Sequence, residues 1–162
     1  MYNSPFIKLS TDIDTEAVAQ SVLKMRGKWT SRSEYFPFFT LGRCAYLDGN
    51  SKEYYENLPA ENAMMVNEFS SLYSEVIKAL TGLFVEDINL TTTNRVPGFH
   101  IFPSDRKSLG NAGGWHKDEP HTTLGLDDID SYAFTLAISL PKSGGGMDFI
   151  DEYNQPHDFA YN

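Results

Sequence analysis

The chain has 162 residues, of which 41% are hydrophobic and 14% aromatic, and this is enough apolar material for one globular domain with a core. Thirteen Lys and Arg against 22 Asp and Glu give a net charge of -9, and the basic residues are scattered rather than gathered into a stripe. This charge pattern argues against nucleic acids and anionic membrane surfaces as partners.

The N-terminal residues and the cysteine count narrow the class of protein further. Residues 1–14 contain no apolar run, so we expect neither a signal peptide nor a membrane-spanning helix, and we expect a cytoplasmic protein. Cys44 is the single cysteine, which excludes an internal disulfide and a multi-cysteine zinc site. The protein ligands of any metal are then His, Asp or Glu.

The first half of the chain predicts a short helix and a strand. Residues 12–25 favour a helix because Asp and Thr stand at its start, Glu16 lies in its first turn and Gly27 follows it. Residues 36–48 are aromatic and rich in β-forming residues, which predicts a strand that ends in a turn at 48–50.

A second, longer helix has the strongest periodic signal in the chain. We predict that it begins after Pro59 and ends at Gly82. Its apolar side chains recur at helical spacing, so they share one face that packs against a core. This face is formed by Met65, Phe69, Leu72, Tyr73, Val76 and Leu80.

Beyond residue 85 the chain changes to short β-forming segments separated by Gly, Pro, Asp and Ser. We therefore predict an α+β fold that is mainly β in its second half, a sandwich or jelly roll supported by the two N-terminal helices. The predicted strands are 89–95, 99–102, 115–118, 132–140 and 147–150.

One imidazole and one carboxylate lie two positions apart within the predicted strand 115–118. In an extended backbone His116 and Asp118 point to the same side, while Lys117 points away. These are two of the three ligands of the facial triad of two His and one carboxylate that holds Fe(II) with open positions. The structural alternative is a His116 ring that simply hydrogen-bonds to Asp118.

The surroundings of this pair carry a family resemblance. The pair follows the glycines 113–114, and the apolar segment 132–140 comes next, closed by the glycines 144–146 and the aromatic segment 147–149. In these features the sequence resembles the 2-oxoglutarate and Fe(II)-dependent dioxygenases, whose metal motif lies on a double-stranded β-helix, a form of jelly roll. The resemblance covers roughly residues 89–150 and implies the same fold here.

The resemblance also implies an activity and its cofactors. His116, Asp118 and a later histidine would hold Fe(II), with 2-oxoglutarate chelating the metal, and the product would be a hydroxylated small molecule or amino-acid or peptide side chain. Related halogenases replace the carboxylate, so Asp118 favours hydroxylation. By strand position alone, Asn94, Phe99 and Thr135 are expected in the wall of the cosubstrate pocket.

The chain departs from the family pattern after Asp118. His121 follows Pro120 and would face away from the pair, His157 lies 39 residues beyond Asp118, and no arginine follows Arg106 to bind the far carboxylate of 2-oxoglutarate. We expect a single domain over 1–162 that stops before the last strands, with helical support in 1–84 and an incomplete β-helix core in 85–162. The 162-residue chain alone is then expected not to consume 2-oxoglutarate.

Three alternatives stay open at this point. In the first, His157 serves as the third metal ligand. In the second, no metal binds, and the chain is a non-catalytic β-sandwich module or a scaffold that has lost its metal. In the third, the chain is a cupin-like metalloenzyme, but the usual His-x-His motif of that class is absent. His100 lies in the aromatic segment 99–102 and is interpreted as a sheet residue rather than a ligand.

Overall fold

The computed structural model describes residues 7–32, 38–48, 52–84, 87–103, 132–142, 146–150 and 156–160. Within them the predicted α+β class is confirmed: two long helices accompany a small antiparallel sheet, and a second pair of strands lies further along the chain. The jelly roll stays a prediction. The elements are α1 (Thr15–Lys24), β1 (Thr30–Ser31), β2 (Phe39–Leu41), α2 (Ala45–Asp48), α3 (Lys52–Thr81), β3 (Phe99–Ile101), β4 (Gly146–Ile150) and β5 (Pro156–Ala160).

Helix α1 confirms the first predicted helix. Asp14 caps its start, because the Asp14 side chain accepts a hydrogen bond of 3.0 Å from the backbone N–H of Ala17. At the other end the indole N–H of Trp29 donates to the carbonyl of Val22 at 3.1 Å. The first bond satisfies an N–H that the helix start leaves without an internal partner, and the second adds to the bond of 3.1 Å that the Val22 carbonyl accepts from the Met25 N–H.

Helix α3 confirms the second predicted helix, but the predicted start after Pro59 is wrong. The helix begins at Lys52 and runs through Pro59. Pro removes one hydrogen bond from a helix, yet Leu58 and Asn62 on either side are buried, and this packing holds the segment helical. A kink follows at Phe69, whose φ of -115° and ψ of 25° are not helical.

The prediction of one strand over 36–48 is also wrong in its extent. Strand β2 ends at Leu41, and the chain then forms the short helix α2 up to Asp48. Gly42 has a φ of 88°, in the left-handed region that glycine enters without steric cost, so the extended backbone breaks there. The Asp48 carboxylate then accepts a hydrogen bond of 2.6 Å from the Cys44 N–H, which closes the turn.

The three-stranded sheet has the order β1-β2-β3 with both pairs antiparallel. In its register Thr40 lies opposite His100, and Leu41 lies opposite Phe99. The buried core forms where α1, α3 and β2 meet, and it includes the predicted α3 face from Met65 to Tyr73. Its members are Val22, Leu41, Met65, Phe69, Leu72, Tyr73 and Val96.

Of the strands predicted in the second half, two are confirmed and two are wrong. Strand β3 occupies most of 99–102, and β4 covers 147–150, whereas 89–95 and 132–140 form no strand. Segment 115–118 lies outside the described residues. Sequence reasoning missed β5, which pairs antiparallel with β4. No helix in the described part of the chain has both the length and the apolar character that a membrane crossing requires.

Candidate functional site

The predicted metal ligands His116 and Asp118 lie outside the described residues, as does His121. Their convergence on one metal therefore stays a prediction. Among the residues that the structure does describe, no three His, Cys, Asp or Glu side chains come together as a metal-binding group. His157 lies on β5, with its backbone opposite Phe149 of β4.

Asn94 belongs to a loop that α3 holds in place. The buried amide of Asn62 donates to the carbonyl of Asn94 at 2.7 Å and to that of Thr92 at 3.0 Å, and its Oδ1 accepts from the N–H of Val96 at 3.1 Å. We call this set the Asn62 clasp. The main chain of Asn94 thus anchors the loop, and its role in a pocket wall stays a prediction.

The Asn62 clasp explains why 89–95 is not a strand. A strand needs its carbonyl and N–H groups for a neighbouring strand, but here one side chain takes two carbonyls of the segment and the N–H of the next residue, Val96. The Thr91 hydroxyl also hydrogen-bonds to that of Thr93 at 2.8 Å, a local bond that favours a turn. The β-forming composition of the segment is outweighed by these contacts.

Phe99 and Thr135 lie in different settings. Phe99 lies on β3 and packs against Phe69 at the α3 kink, with 4.7 Å between ring centroids. Thr135 is exposed in the segment 132–140, which Leu136 connects to the core. Phe99 lines a cleft whose described lining includes neither Asn94 nor Thr135, so the structure does not bring the three residues together there.

This cleft is the feature that sequence reasoning missed. It opens where the end of β2 meets the start of β3, and it is lined by residues 40–44, Arg95 and residues 98–100. Its volume of about 20 Å³ holds one water-sized molecule, so it is far too small for 2-oxoglutarate. A Cβ added to Gly98 would lie 2.5 Å from the carbonyl oxygen of Leu41, so only glycine allows the two segments to approach this closely.

A buried ion pair lies beside the cleft. The Arg32 guanidinium donates two hydrogen bonds to the Asp48 carboxylate, at 2.5 and 3.1 Å, and both side chains are only 8% exposed. Arg32 also donates to the Thr40 hydroxyl at 2.7 Å. Arg43 bonds to Glu61 of α3 at 2.8 Å and lies 3.9 Å from Asp48. We call these residues the Arg32–Asp48 cluster.

The charges of this cluster set the protonation of Asp48. Burial by itself raises the pKa of the Asp48 carboxyl, but the hydrogen bonds from Arg32 and Cys44 and the charges of Arg32 and Arg43 outweigh it. The net result is a pKa below the ordinary 3.8. Asp48 therefore stays a carboxylate at neutral pH, and its bidentate ion pair ties Arg32, the residue that follows β1, to α2.

Two further side chains meet at the cleft. The Cys44 sulfur lies 3.8 Å from Nε2 of His100, and the His100 ring stacks on Phe38. The prediction that His100 is a sheet residue is confirmed, since it occupies the middle of β3. Its contact with Cys44 joins residues 56 positions apart, so no local pattern could have revealed it.

No family model matches the chain, and no curated protein or solved structure matches it either.

Proposed function

We propose that the chain is a 2-oxoglutarate-dependent Fe(II) oxygenase that hydroxylates a small molecule or an amino-acid or peptide side chain. The observation that carries the proposal is the sequence Gly113-Gly114-Trp115-His116-Lys117-Asp118. Its donor set fits Fe(II), because imidazole and carboxylate together suit this metal and leave coordination positions open. Bound Fe(II) with 2-oxoglutarate and O₂ would supply the oxidising power for an unactivated C–H bond.

Two features of the described residues support the proposal. Strand β4 begins at Gly146, at the end of the glycine run 144–146, which is similar to the glycine turn and aromatic strand that commonly follow the metal motif in the family. The N-terminal helices α1 and α3 pack with a β-sheet, which agrees with helical support of a β core. The small cleft beside Cys44 is not the cosubstrate site, because 2-oxoglutarate exceeds its volume.

The roles of the chain's own residues follow from their chemistry. His116 and Asp118 would each donate one ligand atom, and a neutral imidazole and an ionised carboxylate are the forms that bind. His157 on β5 is the candidate for the third ligand within this chain. Metal affinity should therefore fall in acid, because protons compete with the metal for both kinds of ligand.

The decisive experiment measures metal affinity directly. Co(II), a spectroscopic substitute for Fe(II), is titrated into the 162-residue chain and into His116→Ala and Asp118→Ala. We expect each substitution to weaken binding about tenfold or more, because each removes a ligand. His121→Ala is the control, and its affinity should match that of the unaltered chain. Equal affinity in all four proteins would contradict the proposal.

A second measurement connects the metal to the cosubstrate. Calorimetry under nitrogen follows 2-oxoglutarate binding with and without Mn(II). Succinate formation under air with Fe(II) and ascorbate tests turnover, which we do not expect from the 162-residue chain alone. We expect 2-oxoglutarate binding to require the metal and to be lost in His116→Ala. His157→Ala then decides the third ligand, since it abolishes metal binding only if His157 completes the site.

The second candidate function is a non-catalytic β-sandwich binding module or a scaffold without metal. The histidine spacing after Asp118 favours it, because His121 follows Pro120 and is expected to face away from His116 and Asp118. This candidate predicts that the unaltered chain binds Co(II) no better than His116→Ala. The same titration therefore separates the two functions.

A further inference from the structure

Residues 132–140 have the side-chain pattern of a β-strand, but they form no strand in the structure. We call them the strand-like segment. Its even-numbered residues are large and apolar, and its odd-numbered residues are small. Successive side chains of an extended chain point to opposite faces, so extension would place every large side chain on one face. The large residues are Tyr132, Phe134, Leu136, Ile138 and Leu140.

Much of the apolar surface of the strand-like segment faces solvent. Leu136 packs against the core and holds the middle of the segment in place. On either side of it, Tyr132 is 76% exposed, Phe134 48% and Leu140 45%. No hydrogen bond joins the segment to any other residue that the structure describes. A β-forming segment with exposed apolar side chains and available backbone groups is suited to pair with another strand.

The pattern of the strand-like segment is symmetric about Leu136, and this symmetry fits a second copy of the same segment. When two copies run antiparallel with Leu136 opposite Leu136, each large side chain lies opposite another large side chain. Phe134 then faces Ile138, and Tyr132 faces Leu140. The segment also has no charge, glycine or proline, a composition typical of strands that pair with copies of themselves.

The charges that flank the strand-like segment favour the same register. Lys142 is exposed two positions after Leu140, and Asp130, which lies outside the described residues, precedes Tyr132 by two positions in the sequence. In the antiparallel register, position 142 of one copy is opposite position 130 of the other, and the two-fold axis repeats this pair of opposite charges. Parallel pairing in register would instead place like charges opposite each other, which is destabilising.

We infer that the chain forms a dimer in which the strand-like segment pairs antiparallel with the same segment of a second copy. This inference does not depend on the proposed oxygenase activity. Pairing buries Tyr132 and Phe134, whose rings expose roughly 250 Å² per copy. A standard interface buries about 800 Å² per partner, so the dimer is weak. Because each copy offers the same face to the other, the contact closes at two copies.

Self-association is measured by sedimentation equilibrium of the 162-residue chain. We expect monomers at about 1 µM and mostly dimers at about 300 µM. Phe134→Asp places a charge on the paired face and should weaken association about tenfold or more. Leu23→Asp is the control, since it puts the same charge at an exposed leucine of α1. A native chain that stays monomeric at about 300 µM would overturn the inference, as would equal association of Phe134→Asp and the native chain.

The register is tested by cross-linking Ala133→Cys with Ser139→Cys. Both positions are exposed, and they lie opposite each other in the antiparallel register. We expect disulfide-linked dimers when the two variants are mixed and oxidised. Either variant alone should give few, because its two new thiols would be about 20 Å apart, too far for a disulfide. The unaltered chain, whose Cys44 is buried, is the control. Equal yields from the mixture and from each variant alone, or no linked dimers in the mixture, would overturn this register.

The flanking charges are tested by exchanging them. Lys142→Asp should weaken the dimer about fivefold, because it replaces two opposite-charge pairs with like charges. Adding Asp130→Lys to Lys142→Asp rebuilds the pairs with the charges exchanged and should restore association. Lys78→Asp, at an exposed lysine of α3, changes the net charge equally and is the matched control. A double variant that associates as weakly as Lys142→Asp would contradict the antiparallel pairing.

Discussion

Two polar clusters hold irregular segments beside the three-stranded sheet, and they do so by different chemistry. The Arg32–Asp48 cluster uses charge, with a bidentate ion pair that ties the residue after β1 to α2. The Asn62 clasp uses neutral hydrogen bonds from α3 to the loop 92–96. The clasp satisfies backbone groups that a regular strand would pair, whereas the ion pair joins two side chains, and only the charged cluster depends on protonation.

The largest expected effect comes from breaking the charged cluster. Asp48→Asn keeps the size of the side chain and leaves Arg32 buried without its counter-charge, so we expect a loss of about 3 to 5 kcal/mol in the free energy of unfolding. Chemical denaturation monitored by tryptophan fluorescence measures it. Glu75→Gln is the control, because it removes the exposed Lys78–Glu75 pair and should cost about 0.5 kcal/mol or less. Equal losses in the two variants would contradict a structural role for the buried pair.

Breaking the neutral clasp should cost somewhat less. Asn62→Ala leaves the carbonyls of Thr92 and Asn94 and the N–H of Val96 without their partner, and we expect a loss of about 2 to 3 kcal/mol. Asn67→Ala, on the exposed surface of the same helix, should change stability by about 0.5 kcal/mol or less. Hydrogen exchange of the Val96 amide should also accelerate in Asn62→Ala and stay unchanged in Asn67→Ala.

A third variant tests the place where the loop enters the sheet. Gly98→Ala would put a Cβ 2.5 Å from the backbone oxygen of Leu41, and a backbone atom cannot move away as a flexible side chain can. We expect a loss of about 2 kcal/mol from this overpacking. Gly27→Ala meets no atom within 4 Å and should leave stability unchanged or slightly higher. Thermal unfolding of the two variants measures the difference in stability. If Gly98→Ala is as stable as Gly27→Ala, the backbone segments at Leu41 and Gly98 can move apart without cost, and the close approach is not needed for stability.

The smallest expected effect is a change with pH that separates the two clusters. The pKa of folded Asp48 lies below its ordinary 3.8, so its contribution is fully present above about pH 3.8 and is lost as pH falls through the folded value. The stability gap between the native sequence and Asp48→Asn should therefore narrow below about pH 4, while the gap for Asn62→Ala stays constant. Denaturation curves between about pH 7 and pH 3 measure both stability gaps. Equal narrowing of the gaps for Asp48→Asn and Asn62→Ala would contradict a lowered pKa of Asp48 as the cause.

Local pattern predicted the helices better than the strands. The apolar spacing from Met65 to Tyr73 predicted the α3 face, because a helix satisfies its own backbone and needs only one buried stripe. The strand predicted at 89–95 failed, since the Asn62 side chain lies on another element and takes the backbone groups that a neighbouring strand needs. Gly42 gave a local signal for the break after β2, which sequence reasoning placed inside one longer strand.

The sequence by itself determined the α+β class, the position of α1 and the core face of α3, and it suggested His116 and Asp118 as ligands by their spacing. Only the tertiary structure decided that Cys44 meets His100 and that Arg32 meets Asp48. The physical reason is range: helical periodicity and capping are settled within a few residues, whereas these contacts arise only after β1, β2 and β3 have paired.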